Sequence, residues 1–515
     1  MEKPAGSVNL VRVISAMSSS VFPLDRLRSL NEKSINPDGR YVLYWMVANR
    51  RLAYNYSLDR AIAHAVRLNK PLLVVESLAK GYRWSSPRFH HFVMQGMQDN
   101  LAASAKLPLS YYPFVESDHH PQNGMLKAFS KDACIVVTDD FPCFFIPKLL
   151  KILGRSVPCQ AEAVDSNGIL PMRDEPRLFT TAYSFRRHCQ KVLPLWLGQS
   201  PSPTPSSHLA LPPLKPLEEG LTERWPSSEG VLLAGQANWM QSVSTHFQTP
   251  VAQYVGGRQA AIEHWEVFKN QRLSGYHVLR NQVDQSATSC LSPYLHFGHI
   301  STHEIVGDIL AREDRTPDSL TSSKVDGRRA GWWRMSEPAE AFLDQLITWR
   351  EIGFNRCAND PNYASFDTLP EWSLATLNKH RVDSRPYLYS LDEFDQALTH
   401  DPLWNAAQNQ LRLDGMIHNY LRMLWGKKIL HWSESPEAAL ATMIELNNKY
   451  ALDGRNPNSY SGIFWCLGRF DRAWGPERPI FGKVRYMTSE NTARKYKVKD
   501  YIENYKSLSR GVANA

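Results

Sequence analysis

The sequence predicts two unlike halves, an N-terminal doubly wound α/β domain followed by an all-α domain. Three observations predict it. The chain opens on a strand–helix–strand pattern between Tyr41 and Glu76, strand signals almost vanish after about Val251, and the stretch Ser200 to Pro216 between them repeats Ser-Pro and Pro-Pro. Proline lacks a backbone N–H and clashes with the preceding helical turn, so that stretch is expected to run over the surface as a connection. The expected division is a polar arm over 1–40, an α/β domain over 41–165, an interdomain linker over 166–219 and a helical domain over 220–510.

In the α/β half, Tyr41 to Val47 reads as a buried strand, Leu52 to Leu68 as a helix and Pro71 to Glu76 as a second strand. Arg88 to Ala105 reads as a further helix, with strands at Leu109 to Phe114 and Cys134 to Thr138. Alternation of this kind implies a parallel sheet covered by helices. In the second half, apolar residues recur at helical spacing over Gly257 to Lys269, His303 to Arg312, Ala339 to Asn355, Leu391 to His400, Trp404 to Arg412, Met416 to Trp432 and Pro436 to Tyr450.

At 515 residues and 43% apolar content the chain can bury two or three cores. Its net charge of +8 favours a polyanionic partner. The seven cysteines lie far apart without a Cys-x-x-Cys pair, which fits a reducing, intracellular setting and argues against a zinc site. The N-terminus lacks a continuous apolar core with a small-residue cleavage site, and the most apolar stretch, Cys134 to Leu153, is broken by Asp139, Asp140, Pro142 and Lys148, so neither a signal peptide nor a membrane span is expected.

Trp404, Trp425 and Trp432 precede the polar run Asn447 to Gly462, a combination that suggests redox chemistry in the helical half. Trp425 and Trp432 are seven residues apart, so about two helical turns put both indoles on one face, where stacked rings would pass an electron stepwise. No Gly-x-Gly-x-x-Gly follows a strand and no P-loop is present, so a cofactor would be held another way. Thr288, Ser289, Cys290, Leu291 and Ser292 supply hydroxyls and backbone N–H groups ahead of a helix-like stretch, His296 to Ile305, an arrangement suited to a pyrophosphate. Arg422 shares a face with Trp425, and Asp453 is a carboxylate able to pair with it. Arg472, Arg478, Lys483 and Arg485 alternate with Trp474, Phe481 and Tyr486, a mixture that grips phosphates while stacking on unpaired bases. Lys324 to Arg334, with Trp332 and Trp333, is a second such cluster.

These blocks, together with Thr399 to Asn405, Arg422 to Lys428, Phe470 to Trp474 and Ile480 to Met487, resemble the class II cyclobutane pyrimidine dimer photolyases of the photolyase/cryptochrome family. The resemblance is dense from Tyr276 to Tyr505 and weaker from Tyr41 to Pro194. It implies a helical domain that binds FAD, light-driven repair of pyrimidine dimers in UV-damaged DNA, and room for a second, antenna chromophore of unassigned identity. It places Tyr276 and Thr288 to Ser292 on the adenosine and phosphate side of FAD, Arg422 and Asp453 at the isoalloxazine edge, Gly454 among the cofactor-binding residues, and Asn447 opposite flavin N5. An amide there adapts to either protonation state of N5. Trp404, Trp425 and Trp432 would recharge oxidised flavin. Arg280, Asn281, Met423, Trp465 and Trp474 match positions around the flipped lesion, which must leave the base stack to reach a buried flavin.

The chain departs from the family pattern where many members read Phe-Leu-Glu-Glu-Leu. Here the helix runs Phe342-Leu343-Asp344-Gln345-Leu346, so the lesion-contacting acid becomes Gln345, which can bond a thymine carbonyl but cannot give up a proton. Trp349 stands for a frequent Arg and Phe470 for a frequent His. The expected protein is a monomeric, cytoplasmic light-driven repair lyase. A non-repairing flavin photoreceptor of the cryptochrome type is the alternative, and it would explain Gln345.

Overall fold

The computed structural model describes residues 22–205, 209–235, 239, 243–320 and 324–507. Most of the expected arm (1–21), the middle of the proline-rich connection (206–208), residues 321–323 of the second basic cluster's flank and the last residues of the expected helical domain (508–510) lie outside them.

A six-stranded sheet forms the first half: β1 (Leu27–Ser29), β2 (Tyr41–Met46), β3 (Leu72–Leu78), β4 (Ser110–Val115), β5 (Ala133–Asp139) and β6 (Gln160–Val164), in the order β1-β6-β5-β2-β3-β4. β2 to β6 pair in parallel, and β1 joins the β6 edge antiparallel, Leu27 opposite Val164. β2, β3 and β5 are buried at every position, which is why they read as continuous apolar runs rather than alternating ones. The order reverses between β2 and β5, creating the crevice outside the strands' carboxyl ends that such sheets use for ligands. Asp139, at the end of β5, fixes that crevice: its Oδ2 accepts from the backbone N–H groups of Val47, Ala48 and Asn49 at 2.9, 2.8 and 3.0 Å.

Several features were not read from the sequence, strand β6 and helix Ile146–Ser156 among them. Part of the expected polar arm is the edge strand β1, three residues long and without periodicity to reveal it. The helix expected from Leu52 begins at Tyr56, because Asn55 caps it by accepting from Ser57 N and Leu58 N. The expected linker carries a helix, Ala182–Leu197, whose Phe185, Cys189, Leu193 and Trp196 enter the same core as Trp265 and Phe342 of the helical half. Pro194 inside that helix masked it.

The second half is helical among the described residues, as expected. Helices Pro402–Asp414, Asn419–Trp432, Pro436–Tyr450 and Pro457–Trp465 share one apolar cluster containing Trp404, Trp425 and Trp432. The stretch expected as one helix, Ala339 to Asn355, is Glu337–Leu343, a π-helical segment Asp344–Trp349 and Arg350–Asn359. The helix expected over Leu391 to His400 stops at Asp395. The two halves are tied by buried charge. Arg88 of helix Pro87–Ser104 donates to Leu411 O and Tyr450 O at 3.2 and 2.9 Å, satisfying carbonyls at the ends of two helices. Glu351 accepts from Ile169 N and Leu170 N at 2.7 and 3.0 Å.

Candidate functional site

A cavity of about 130 Å³ lies where the π-helical segment, the stretch 289–296 and the loop before helix Pro457–Trp465 converge. Tyr276, Ser289, Leu291, Ser292, Gln345 and Asp453 line it, so six sequence-predicted residues meet in one place. π-Helical turns shift side-chain register by one residue and recur at functional sites. Here the segment directs Asp344 to Arg186, at 2.6 Å, and leaves Gln345 in the cavity wall. Thr288 and Cys290 lie outside the lining. Cys290 has φ 55°, the left-handed region, and its Sγ lies 3.7 Å from Thr288 Oγ1 and 3.9 Å from the Tyr254 hydroxyl. The helix expected over His296 to Ile305 is Ser292–His296, five residues, and the next begins at Thr302.

Arg422 and Asp453 form a two-pronged pair, Nη1–Oδ2 and Nη2–Oδ1 both 3.1 Å. Asn447 is buried, and its Nδ2 donates to Ser459 Oγ at 2.7 Å. Gly454 guards that arrangement, since a Cβ there would come within 2.9 Å of Asn447 O. Sequence reasoning missed Arg350, His296, Asn456 and Asn458, which also line the cavity. Arg350 is the most informative. It is buried, its Nη1 meets no hydrogen-bond partner among the described residues, and burial holds its pKa down at about 10. An arginine flanked by Ile347, Trp349 and Ile352 was the available signal.

The tryptophans are buried, but they do not stack as expected. Two helical turns separate Trp425 from Trp432 by about 10 Å along the axis, too far for ring contact. Trp404 of the neighbouring helix reaches both: its Nε1 donates to Trp425 O at 3.1 Å, and its ring meets Trp432 edge-on, centroids 6.1 Å apart at 72°. The Trp425 indole N–H is taken by Gln408 Oε1 at 2.9 Å. The spatial order is therefore Trp425, Trp404, Trp432.

On the surface segment after helix Pro457–Trp465, Trp474 lies between Arg472 and Arg485, whose guanidinium carbons sit 4.5 and 3.9 Å from its centroid. Arg485 is also paired to Asp471 at 2.8 and 3.0 Å. Burial works against that carboxylate, but the Arg485 hydrogen bonds outweigh it and hold Asp471 below the usual range. Lys483 lies 3.6 Å from Glu477. Arg472 and Arg478 make no ion pair among the described residues, and both are exposed. Trp465 is half-buried between Lys427, 4.8 Å, and Arg485, 5.4 Å. Lys427 is fully buried, donates to Cys466 O at 2.7 Å, and is pushed down to about 8 by burial. Met423, Arg280 and Asn281 are half-buried, with Arg280 5.9 Å from the Tyr276 ring centre. In the second basic cluster, Trp332 and Trp333 are buried in the core, so only its cations face outward.

A larger cavity, about 650 Å³, opens at the sheet's reversal point. It is lined by Trp45, Arg50, Tyr82, Phe141, Phe144 and Arg455 among others, and shares His296 with the smaller one.

No family model matches the chain. It is 31% identical to the deoxyribodipyrimidine photo-lyase of Methanothermobacter thermautotrophicus over 94% of its own length and 98% of that protein. The Arabidopsis thaliana protein of the same name is 32% identical, covering 96% and 95%, and that of Potorous tridactylus 28%, covering 93% and 84%. A crystal structure of a bacterial class III photolyase from Agrobacterium tumefaciens superposes with a TM-score of 0.61 at 17% identity, over 92% of this chain and 87% of that one, a likeness of fold. Matches at this identity over nearly the whole length of both chains carry the conclusion: the chain belongs to the deoxyribodipyrimidine photo-lyase family.

Proposed function

We propose that the chain is a light-driven lyase that repairs cyclobutane pyrimidine dimers in DNA, of the class II type, with FAD held in the helical half. The observation that carries the reading is the convergence of Gln345, Arg350, Tyr276, Ser289, Ser292 and Asp453 on one cavity, which the Asp453–Arg422 pair joins to the helix carrying Trp425 and Trp432. The relatives support repair over the photoreceptor alternative, since each bears the photo-lyase name.

The residues suit a flavin dinucleotide. Arg350 Nη1, buried and without a hydrogen-bond partner among the described residues, is a cation suited to a phosphate, and the Ser289 and Ser292 hydroxyls lie in the same wall. At about 130 Å³ the cavity is smaller than the roughly 300 to 1,000 Å³ usual for cofactor sites, so part of the dinucleotide would extend beyond it. Reduced FAD, when bound, supplies the electron that light delivers to the dimer. This chain's residues do the rest: Arg422, held by Asp453, presents positive charge to a reduced ring, Asn447 offers an amide to its edge, and Gln345 donates a hydrogen bond to a lesion carbonyl. Met423, Trp465 and Trp474 supply apolar and aromatic surface for an extruded dimer, with Arg280 and Asn281 beside it. Arg472 and Arg478 take phosphates, with Lys483 and Arg485 contributing less because carboxylates already hold them. The larger cavity, walled by Trp45, Tyr82, Phe141 and Phe144, is suited to a planar second chromophore. A monomer acting inside the cell completes the reading; among the described residues no helix is long and apolar enough to cross a membrane.

The test is purification followed by two measurements on one preparation. Denaturation should release FAD, and pre-reduced protein should split dimers in light but not in darkness. Folded protein that neither carries nor takes up flavin would end the reading.

A further inference from the structure

The tryptophan series does not stop at Trp432. The Tyr389 ring meets Trp432 edge-on at 5.7 Å, 80°, and its backbone N–H donates to Trp432 O at 3.1 Å. The Tyr389 hydroxyl lies 2.6 Å from His400 Nδ1, and the same oxygen accepts from His400 N at 3.0 Å. With its lone pair engaged by that backbone donor, the phenolic proton is directed at the imidazole. His400 is exposed and stacks on Tyr387 at 3.8 Å, 22°, so the arrangement ends at solvent.

We propose that Tyr389 and His400 form a proton-coupled outlet for the tryptophan series. An electron vacancy reaching Trp432 is filled by Tyr389 while the phenolic proton passes to His400 Nδ1. The balance closes: oxidised Trp432 returns to neutral indole, the Tyr389 O–H bond breaks, and a neutral tyrosyl radical and a protonated imidazole remain. A thiolate from solution then returns the electron, and His400 returns the proton.

Two features make the outlet favourable. Lys428 Nζ sits 5.0 Å over the Trp432 ring, and its pairing with Asp401, at 3.6 Å, offsets that charge only in part. A positive charge on Trp432 is therefore repelled, whereas Tyr389 sheds its charge as a proton. A base within about 2.6 to 3.2 Å of the proton is what such a transfer requires, and imidazole is the side chain suited to it near neutrality.

The inference rests on the proposed flavin reading for the origin of the vacancy, and the experiment separates the two. Oxidised, flavin-loaded protein is illuminated and radicals are identified by time-resolved paramagnetic resonance. A tyrosyl signal is expected in the native chain, lost in Tyr389→Phe and lost in His400→Gln, which keeps the phenol but removes the base. Thermal melting of each variant confirms folding. Only tryptophanyl radical in the native chain, or an undiminished tyrosyl signal in either folded variant, overturns the proposal. If no flavin binds, the parent reading fails instead, and pulse radiolysis with azide radicals, which oxidise indoles without a cofactor, reads the same transfer. Equal tyrosyl yields from native protein and Tyr389→Phe there overturn the outlet by itself.

Discussion

In the proposed repair reaction, Gln345 is the residue expected to set efficiency. It lines the smaller cavity from a π-helical segment, while its neighbour Asp344 is spent on Arg186, so the acid next door cannot substitute for it. Gln345→Ala should lower repair per absorbed photon by about tenfold, the worth of one lost hydrogen bond of about 1.4 kcal/mol. Gln345→Glu should restore or raise it, because an apolar surround favours the protonated acid, a stronger donor than an amide. Steady-state repair with pre-reduced flavin under calibrated light measures this step alone; equal rates in all three proteins would take Gln345 away from the lesion. Trp425→Phe should behave differently. It should abolish photoreduction of oxidised flavin and leave repair by pre-reduced protein within about twofold, because recharging and cleavage use different donors. Equal loss of both in a flavin-loaded variant would make Trp425 structural.

At the scale of elements, the segment 470–487 should supply the salt-dependent part of DNA binding. Replacing Arg472 and Arg478 together by Ala should reduce the slope of log affinity against log salt by roughly 1.4 to 1.8, about 0.7 to 0.9 per phosphate contact. Arg485→Ala should change it less, since Asp471 already neutralises that charge. An unchanged slope in the double variant would move the DNA face elsewhere. What could be read of these elements in advance follows their physics. The central strands, buried on both faces, and the long helices from Pro402 to Tyr450 were legible because apolar pattern specifies them directly. The Arg422–Asp453 pair was legible from matching charge. The edge strand β1 was too short to show a period, Pro194 disguised helix Ala182–Leu197, and the π-helical register of Asp344–Trp349 arises from packing that no linear spacing encodes. The expected stacking of Trp425 on Trp432 failed for the same reason. Helical spacing aligned Trp425 with Trp432, and only the tertiary approach of a second helix inserted Trp404 between them.

In the whole molecule the halves are joined through Glu351, and that joint should be sensitive to pH. Burial pushes the Glu351 carboxyl up to about 7 from the ordinary 4.5, with Arg350 and the Leu170 and Ile169 N–H groups opposing the rise. Between those two values the folded chain binds more protons at this site than the unfolded chain, so this group's contribution to stability falls as pH rises from about 4.5 to about 7 and is constant above. Glu351→Gln should flatten that part of the profile in thermal melts, at the cost of the second backbone hydrogen bond; an unaltered profile would show that Glu351 titrates normally. Its tight seat is visible in Gly168, where a Cβ would come within 2.8 Å of the Glu351 carboxyl carbon. His296 has a different reach across the same frame. Its imidazole borders both cavities, held by Asn456 at 3.0 Å, so occupants of the two would be neighbours across a single ring. Excitation exchanged between their transition dipoles would need no moving part and no covalent path. A planar fluorophore seated in the larger cavity should therefore dim when flavin fills the smaller one, and the loss should survive His296→Phe, because the partition's thickness, rather than its titration, governs the coupling.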